Sequence, residues 1–121
     1  MDKAQALNSF FNSFGLPAYD SQTVPIDAVL PYITYDTVTD SLNNKVSVRA
    51  SLWYRSTSWR EISEKAEEIA EHIGVGGDVV KLDAGYVWLT RGTPYAQRMS
   101  DPDDSIRRIV LNVQAEFLTA N

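Results

Sequence analysis

Few side chains in this sequence are of the types that carry out catalysis. The 121 residues include one histidine and no cysteine. The lack of cysteine excludes a cysteine nucleophile, a disulfide framework, thiolate zinc sites and iron–sulfur clusters. The histidine, His72, falls near the end of a glutamate-rich segment with helical periodicity, where an imidazole complements the partial negative charge of a helix C-terminus. Since the sequence also has no G-x-S-x-G nucleophile elbow, we predict no catalytic site.

Two short segments have the composition of ligand sites without the context of one. The glycine-rich segment 74–77 follows a helical pattern and precedes a strand pattern, which is the reverse of the order in a phosphate-binding loop. Asp101, Asp103 and Asp104 could supply oxygen ligands to a hard cation. Their spacing does not match an EF-hand, and a turn whose aspartates hold their own backbone amides explains them more simply. We therefore predict no cofactor and no bound metal.

Arginine and aromatic residues are the more informative side chains, because both are enriched at the hot spots of protein–protein interfaces. Some of the aromatic residues also fit simple burial in a two-layer fold. The segment 92–105 has no sustained period and contains two prolines, which predicts a long loop of the kind that binds a partner. We expect residues 93–104 to contact a neighbouring subunit or another partner protein, and a deletion of residues 95–103 to leave a folded monomer that no longer assembles. The predicted protein–protein surface consists of Trp53, Arg55, Trp59, Tyr95, Gln97, Arg98, Met99, Asp101, Asp103, Asp104, Arg107 and Arg108.

The composition limits the class of protein. A chain of 121 residues, 44% apolar, fits a single globular domain over residues 1–121. No run of 18 apolar residues and no basic start before an apolar run is present, so we predict neither a membrane span nor a signal peptide. The formal net charge of -5 disfavours tight binding to DNA or RNA, because that affinity depends on clustered lysine and arginine.

The first half of the chain predicts one helix and two strands. Apolar residues at helical spacing in 4–14 predict an N-terminal helix. Residues 17–31 contain three prolines, and we predict an irregular connector there. Aromatic and β-branched residues over 31–38 predict the first strand, and strict alternation over 46–55 predicts the second. Turn-forming residues at 41–44 predict that these two strands form a hairpin.

The second half begins with the best-defined element. Ser58 and Glu61 match a capping box, which predicts a helix that begins at Trp59. Apolar residues then recur at helical spacing among glutamates as far as Gly74, which is predicted to end the helix.

Three more strands complete the predicted fold. Segments 79–82 and 86–90 flank a predicted three-residue turn at 83–85 and form a second hairpin. Alternation over 106–117 predicts a long strand that runs through the middle of the sheet or extends past the core. The fold class is therefore α+β: a mainly antiparallel sheet of about five strands, with one central helix and an N-terminal helix packed on it.

Several segments resemble a known family. They are residues 30–35, which spell LPYITY, residues 52–54, residues 58–59 before the charged helix, and the segment 101–104 that leads into the final strand. Taken together, over essentially the whole chain, they resemble the tail terminator proteins of long-tailed bacteriophages, also called tail completion or head–tail joining proteins. No catalytic signature anchors the resemblance.

The resemblance implies a structural protein of the virion that is not an enzyme. Its copies would form a hexameric ring that caps the finished tail tube and binds the head connector on its other side. The ring would be made in the host cytoplasm and lie at the head-proximal end of the tail, with genomic DNA passing through its lumen without specific binding. An acidic lumen suits this passage because it offers the phosphates no cations. In such a ring, we expect reversal of the charges of Arg107 and Arg108 to impair assembly more than folding.

Two alternatives remain open. The first is a different head–tail adaptor or a minor tail protein. The second is from another class, a small-ligand-binding or enzymatic α+β domain whose pocket would be formed by Tyr32, Tyr35, Trp88 and the segment 92–105.

Overall fold

Six strands and two α-helices make up the described part of the chain, which comprises residues 1–37 and 45–119 in a computed structural model. None of the helices in this part is long and apolar enough to cross a membrane. The elements, in chain order, are α1 (Lys3–Phe11), a 3-10 turn (Asn12–Phe14), β1 (Ala18–Asp20), β2 (Tyr32–Tyr35), β3 (Lys45–Arg55), α2 (Arg60–Ile73), β4 (Asp78–Leu82), β5 (Gly85–Met99) and β6 (Ile106–Thr119).

The strands form one sheet in the order β1-β2-β3-β6-β5-β4. All neighbours pair antiparallel except β1 and β2, which pair parallel. The α+β class is confirmed, but the expected count of about five strands is corrected to six. The additional strand is β1, which lies in the segment where we predicted an irregular connector. Three residues are too few to show an alternating pattern, so only pairing with β2 reveals this strand.

Both helices pack on the same face of the sheet, which we call the helix face. The apolar side of α2 contributes Ile62, Ala66, Ile69 and Ile73 to the core, and the alternate residues of the strands meet them. At the other side of the core, the ring of Phe11 in α1 stacks on Tyr35 with 4.9 Å between centroids. The opposite face, which we call the open face, is covered by neither helix. The position of β6 in the middle of the sheet confirms the prediction made from its length.

The helix α2 begins one residue later than predicted, and the expected capping box is absent. Trp59 occupies the N-cap position with helical backbone angles, φ −91° and ψ 0°, and no side chain caps it. The Ser58 hydroxyl instead accepts a hydrogen bond from the Arg60 amide at 3.1 Å, so Glu61 has no reciprocal role. The end at Gly74 is confirmed, since Gly74 is the C-cap and has a φ of +69°. A capping box does occur at α1, between Asp2 and Gln5.

The predicted long loop over 92–105 is wrong, because β5 continues to Met99. Its register on β6 shifts between Arg91 and Ala96, where residues 92–95 lie opposite the single residue Asn112. This bulge breaks the alternation from which a strand is recognised. It also requires close backbone approach, since a Cβ on Gly92 would lie 2.8 Å from the carbonyl oxygen of Asn112. The connection to β6 is therefore only residues 100–105.

The two predicted hairpin turns have different outcomes. The turn at 41–44 lies outside the described residues. The second hairpin is present, but its turn is shorter than predicted, because Leu82 pairs with Gly85 and leaves only Asp83 and Ala84 between the strands.

Candidate interaction surface

The first cluster of candidate residues lies at the start of α2, where a tryptophan meets two arginines. The guanidinium carbon of Arg98 lies 4.8 Å from the centroid of the Trp59 ring, and that of Arg107 lies 5.3 Å from the same centroid. Three elements bring them together: the N-terminus of α2, the end of β5 and the start of β6. Cation–π contacts of this kind contribute about 0.5–1 kcal/mol each at exposed sites. We call these three residues the tryptophan corner.

Arg107 ties the tryptophan corner to the rest of the fold. Its guanidinium donates to the carbonyl oxygens of Thr57 and Asp104, both at 2.8 Å. Its Nε is buried and has no hydrogen-bond partner in the described part of the chain. Because Thr57 precedes α2 and Asp104 lies in the β5–β6 connection, one side chain joins these two segments to β6. Arg107 therefore stabilises the fold, and both terminal nitrogens of its guanidinium group already donate hydrogen bonds within the chain.

The aspartates of the β5–β6 connection hold their own backbone. A carboxylate oxygen of Asp101 accepts a hydrogen bond from the Asp103 amide at 2.9 Å. The Asp103 carboxylate accepts from both the hydroxyl and the amide of Ser105, which lowers the pKa of Asp103, with a smaller contribution from nearby Arg55. Arg55 in turn donates to the Ser105 hydroxyl at 3.1 Å. These bonds match the predicted turn.

No metal site is evident among these acidic residues. Within residues 1–37 and 45–119, no group of three or more histidine, cysteine, aspartate or glutamate side chains is placed to hold an ion.

The second cluster lies on the open face, on the middle strands of the sheet. The guanidinium carbon of Arg108 lies 4.5 Å from the centroid of the Trp53 ring, and the two residues are direct partners across β3 and β6. Arg108 also donates to the Ser51 hydroxyl at 3.1 and 3.2 Å. The Trp53 indole N–H donates to the Thr34 hydroxyl at 3.0 Å. We call this group the open-face cluster.

A cavity of about 320 Å³ opens beside the open-face cluster. Its lining combines the aromatic rings of Tyr32 and Trp53 with the side chains of Arg49, Arg108 and Asp36. Tyr19 extends this aromatic surface, since its ring meets that of Tyr32 edge to face at 5.7 Å. Aromatic rings beside arginines are the composition of an interface hot spot.

The remaining candidates lie on the second half of β5. Tyr95 is half-buried between β5 and α2, and its hydroxyl donates to the Ala66 carbonyl oxygen at 2.9 Å. Burial raises the pKa of Tyr95 well above its usual range, against a smaller opposing effect of Arg91. Gln97 and Met99 are exposed. β4 pairs only with residues 85–89 of β5. Beyond those residues, β5 pairs with β6 on one side, and in the described part of the chain no strand pairs with its other edge. Tyr95, Gln97 and Met99 lie in this part of β5.

The predicted interaction residues therefore do not form one continuous surface, because they lie on both faces of the sheet. Arg98 and Trp59 meet in the tryptophan corner, and Arg55 with the three aspartates lies in or beside the adjoining connection. Trp53 and Arg108 lie across the sheet, on the open face. Sequence spacing alone could not show this division, although strand alternation does place Arg107 and Arg108 on opposite faces.

The alternative pocket of Tyr32, Tyr35 and Trp88 is not assembled. Tyr32 lines the open-face cavity, whereas Tyr35 is buried on the helix face. Trp88 lies on β5 and donates from its indole N–H to the Gly76 carbonyl oxygen at 2.9 Å. His72 is equally occupied, since its ring packs edge-on against Phe14 and its Nε2 lies 3.1 Å from a carboxylate oxygen of Asp78.

One feature of the surface was missed by sequence reasoning. Ile26 and Val29, in the connection between β1 and β2, are 106% and 77% exposed. The sequence shows two apolar residues within a proline-rich connector. It could not distinguish exposed residues at this position from residues buried in the core.

Comparison with known proteins shows a fold similarity but no sequence match. No family model and no curated protein matches the sequence. Among solved structures, the fold is similar to a chain in the structure of the virion of a native gene transfer agent particle. The match has a TM-score of 0.66 at 18% sequence identity, and it covers 95% of this chain and 96% of that chain. The two chains therefore share one fold over nearly their whole lengths.

Proposed function

We propose that this chain is a structural subunit of a phage-like virion. The observation that carries the proposal is the fold similarity to a chain of a gene transfer agent virion, with a TM-score of 0.66 over 95% of this chain. A similarity over nearly the whole of both chains is more informative than one limited to a common substructure, because almost all of the fold is then shared. Function does not follow from fold alone, so the surface must support it as well.

The surface composition supports a role in docking to other proteins. The tryptophan corner and the open-face cluster each place arginine against a tryptophan ring, at 4.5–5.3 Å. Arginine and tryptophan are the residue types most enriched at interface hot spots. Three pairs of side chains in the open-face cavity are joined by hydrogen bonds: Ser21 with Asp36, Trp53 with Thr34, and Arg108 with Ser51. Side chains that are preorganised in this way lose little entropy when a partner binds.

We further propose that the copies form a ring, a hexamer in the family that the sequence resembles, at the head-proximal end of a tail. In this position one side of the ring would bind the tail tube protein and the other the head–tail connector. Four exposed glutamates of α2 supply an acidic surface past which DNA could move without binding. They are Glu61, Glu64, Glu68 and Glu71. Assembly, not catalysis, would be the activity of such a protein.

Two measurements test the proposal. The mass of the purified chain, measured by light scattering over a range of concentrations and combined with electron microscopy, reports whether it forms rings. Labelling of the chain in intact particles reports whether and where it lies in the virion. We expect rings of fixed stoichiometry and a single label at the head-proximal end of each tail. Particles that carry no label would overturn the proposal.

The same measurements separate the alternatives. A label within the head collar would assign the chain to the head–tail adaptors, and a label elsewhere on the tail would assign it to the minor tail proteins. A monomer of constant mass that binds a small molecule saturably would favour a ligand-binding domain instead.

A further inference from the structure

The connection between β1 and β2 presents two apolar side chains to solvent on a well-defined loop. We call residues 21–31 the β1–β2 loop. Ile26 is 106% exposed and Val29 is 77% exposed. Within the loop, the Ala28 amide donates to the Pro25 carbonyl oxygen at 3.0 Å, and at its start the Thr23 amide donates to the carbonyl oxygen of Asp20 in β1 at 3.0 Å. The two apolar side chains therefore extend from a structured support, and a partner that covered both of them would remove apolar surface from water.

A concave apolar surface lies at the other side of the molecule, between α2 and the second half of β5. We call it the α2–β5 groove. It has a volume of about 250 Å³, and its lining is mostly apolar. Ala66 and Ala70 contribute from α2, Ala96 contributes from β5, and Arg98 and Glu67 supply charges. Small alanine side chains on both walls leave the space that larger apolar side chains could fill.

These two surfaces cannot meet within one chain. The β1–β2 loop joins the first two strands of the sheet, whereas β5 is the fifth strand in spatial order. Four strand spacings, roughly 19 Å, separate β1 from β5. Two different patches at opposite sides of one subunit are what a heterologous, head-to-tail contact requires, and such contacts generate rings when their rotation closes.

The loop and the groove carry one pair of opposite charges that could meet, Asp27 and Arg98. Residues 4–44 contain no lysine or arginine, and their aspartates include Asp27, which stands between the two exposed apolar residues of the loop. Arg98 lines the groove. Arg91 lies on the same face of β5 but outside the groove lining, since Arg91 and Arg98 pair with the core residues Val113 and Ile109 of β6. Glu67, also in the groove, would repel Asp27, so charge favours the orientation in which Asp27 lies toward Arg98.

We propose that the β1–β2 loop of one copy inserts Ile26 and Val29 into the α2–β5 groove of a second copy, with Asp27 facing Arg98. This inference rests on the proposed ring and deepens it, because it names the two surfaces through which each subunit contacts its neighbours. Every copy has one loop and one groove, so each subunit binds two neighbours.

A complementation experiment tests the proposal. The first variant, Ile26→Ser with Val29→Ser, removes the apolar side chains of the loop but leaves the groove intact. The second, Ala96→Glu, blocks the groove with a charge but leaves the loop intact. All three positions are exposed, so both variants should fold. We expect each variant to weaken self-association by at least about tenfold. Mixed together, they should form a one-to-one heterodimer, because one intact loop then meets one intact groove.

The matched control is Val75→Ser. Val75 is 96% exposed and apolar, but it lies in the connection between α2 and β4, outside both surfaces. We expect this variant to assemble as the unmodified protein does. Sedimentation velocity of the single variants, the control and the mixture provides the masses.

Each outcome of the experiment either supports or contradicts the proposed contact between loop and groove. Loop and groove variants that assemble normally would overturn this contact while leaving a ring, and so the proposed function, in place. Two monomeric variants that fail to combine would show that loop and groove do not bind each other. An unmodified protein that is monomeric at every concentration would also overturn the contact, and the label on virions would then decide the proposed function separately.

Discussion

Arg107 and Arg108 are consecutive in β6, yet their guanidinium groups lie over different tryptophans on opposite faces of the sheet. Arg107 lies 5.3 Å from the ring centroid of Trp59 on the helix face, and Arg108 lies 4.5 Å from that of Trp53 on the open face. Successive side chains of a strand alternate between faces, so one charged pair in the sequence becomes two separate contacts. The two arginines should therefore have different roles.

Replacement of each arginine by glutamine separates these roles. We expect Arg107→Gln to lower the free energy of unfolding by about 1–2 kcal/mol, because it removes the hydrogen bonds to the carbonyl oxygens of Thr57 and Asp104. Arg108→Gln should lower it less, by about 0.5–1 kcal/mol through loss of the contacts with Trp53 and Ser51, and should weaken assembly more. Urea unfolding and the mass of the assembled protein are the two measurements. Equal loss of stability in both variants would contradict this assignment.

Gly77 is predicted to tolerate no side chain. Its φ is +85°, and a Cβ there would lie 2.3 Å from Nε1 of Trp88 and 2.7 Å from the carbonyl oxygen of Leu89. We expect Gly77→Ala to lower the free energy of unfolding by about 2 kcal/mol or more, through backbone strain and displacement of the Trp88 ring. Thermal and urea unfolding give the value.

The neighbouring residue provides a matched control for this prediction. No heavy atom lies within 4 Å of the position that a Cβ on Gly76 would occupy. Gly76→Ala should therefore be neutral, or stabilising by up to about 1 kcal/mol, because alanine restricts the unfolded chain. Similar losses in both variants would show that the close contact at Gly77 is not what matters.

Two tyrosines predict how stability depends on alkaline pH. Burial raises the pKa of Tyr95, and burial followed by the charges of Glu61 and Glu68 raises the pKa of Tyr54. A raised pKa in the folded state means that the folded protein holds the phenolic proton more tightly than the unfolded chain does. The resulting stability is fully present below about pH 10, the pKa of an unperturbed tyrosine, and is lost as the pH rises above it.

We expect the free energy of unfolding to fall above about pH 10, by up to about 1.4 kcal/mol per pH unit for each tyrosine. Tyr95→Phe should flatten this fall, and it should also reduce stability at neutral pH by about 1 kcal/mol, because the hydrogen bond to Ala66 is lost. Urea unfolding at several alkaline pH values measures both effects. The prediction fails if Tyr95→Phe and the unmodified protein show the same slope.

The regular elements could be predicted because their periodicity is long and unbroken. The apolar stripe of α2 and the alternation of β3 and β6 each extend over ten residues or more. The short strand β1 and the second half of β5 could not be predicted in this way. The first has three residues, and the second follows a bulge that changes which residues face the core. Both depend on pairing with a distant strand, which local patterns do not report.

The candidate surface could be predicted only as a set of residue types. Sequence reasoning identified arginine and tryptophan as the relevant side chains, and the tryptophan corner and the open-face cluster consist of them. It could not show that Trp59 and Arg98, 39 positions apart, lie 4.8 Å from each other. That contact depends on how α2 packs on β5 and β6, which is a property of the whole fold.

The β5–β6 region gives a final prediction, which replaces the expectation that deletion of residues 95–103 leaves a folded monomer. That deletion would remove the strand segment from Ala96 to Met99, which pairs with Leu111 to Arg108 in the middle of the sheet. It would also remove Tyr95, which packs on the core. Exposing a central strand and part of the core should cost several kcal/mol, which is comparable with the roughly 5–15 kcal/mol by which small domains are stable. We therefore expect the deletion variant to be unfolded by circular dichroism.

A second variant isolates the connection from the strand. Replacement of residues 100–104 by a glycine–serine segment of equal length keeps all of β5 and keeps Ser105, whose hydroxyl accepts from Arg55. It should fold with a loss of only about 1–2 kcal/mol, since the replaced side chains mainly hold their own turn. If this segment contacts a neighbouring subunit, the variant will fold and fail to assemble. Normal assembly would exclude the connection from the interface and leave the second half of β5 as the contributing part of this region.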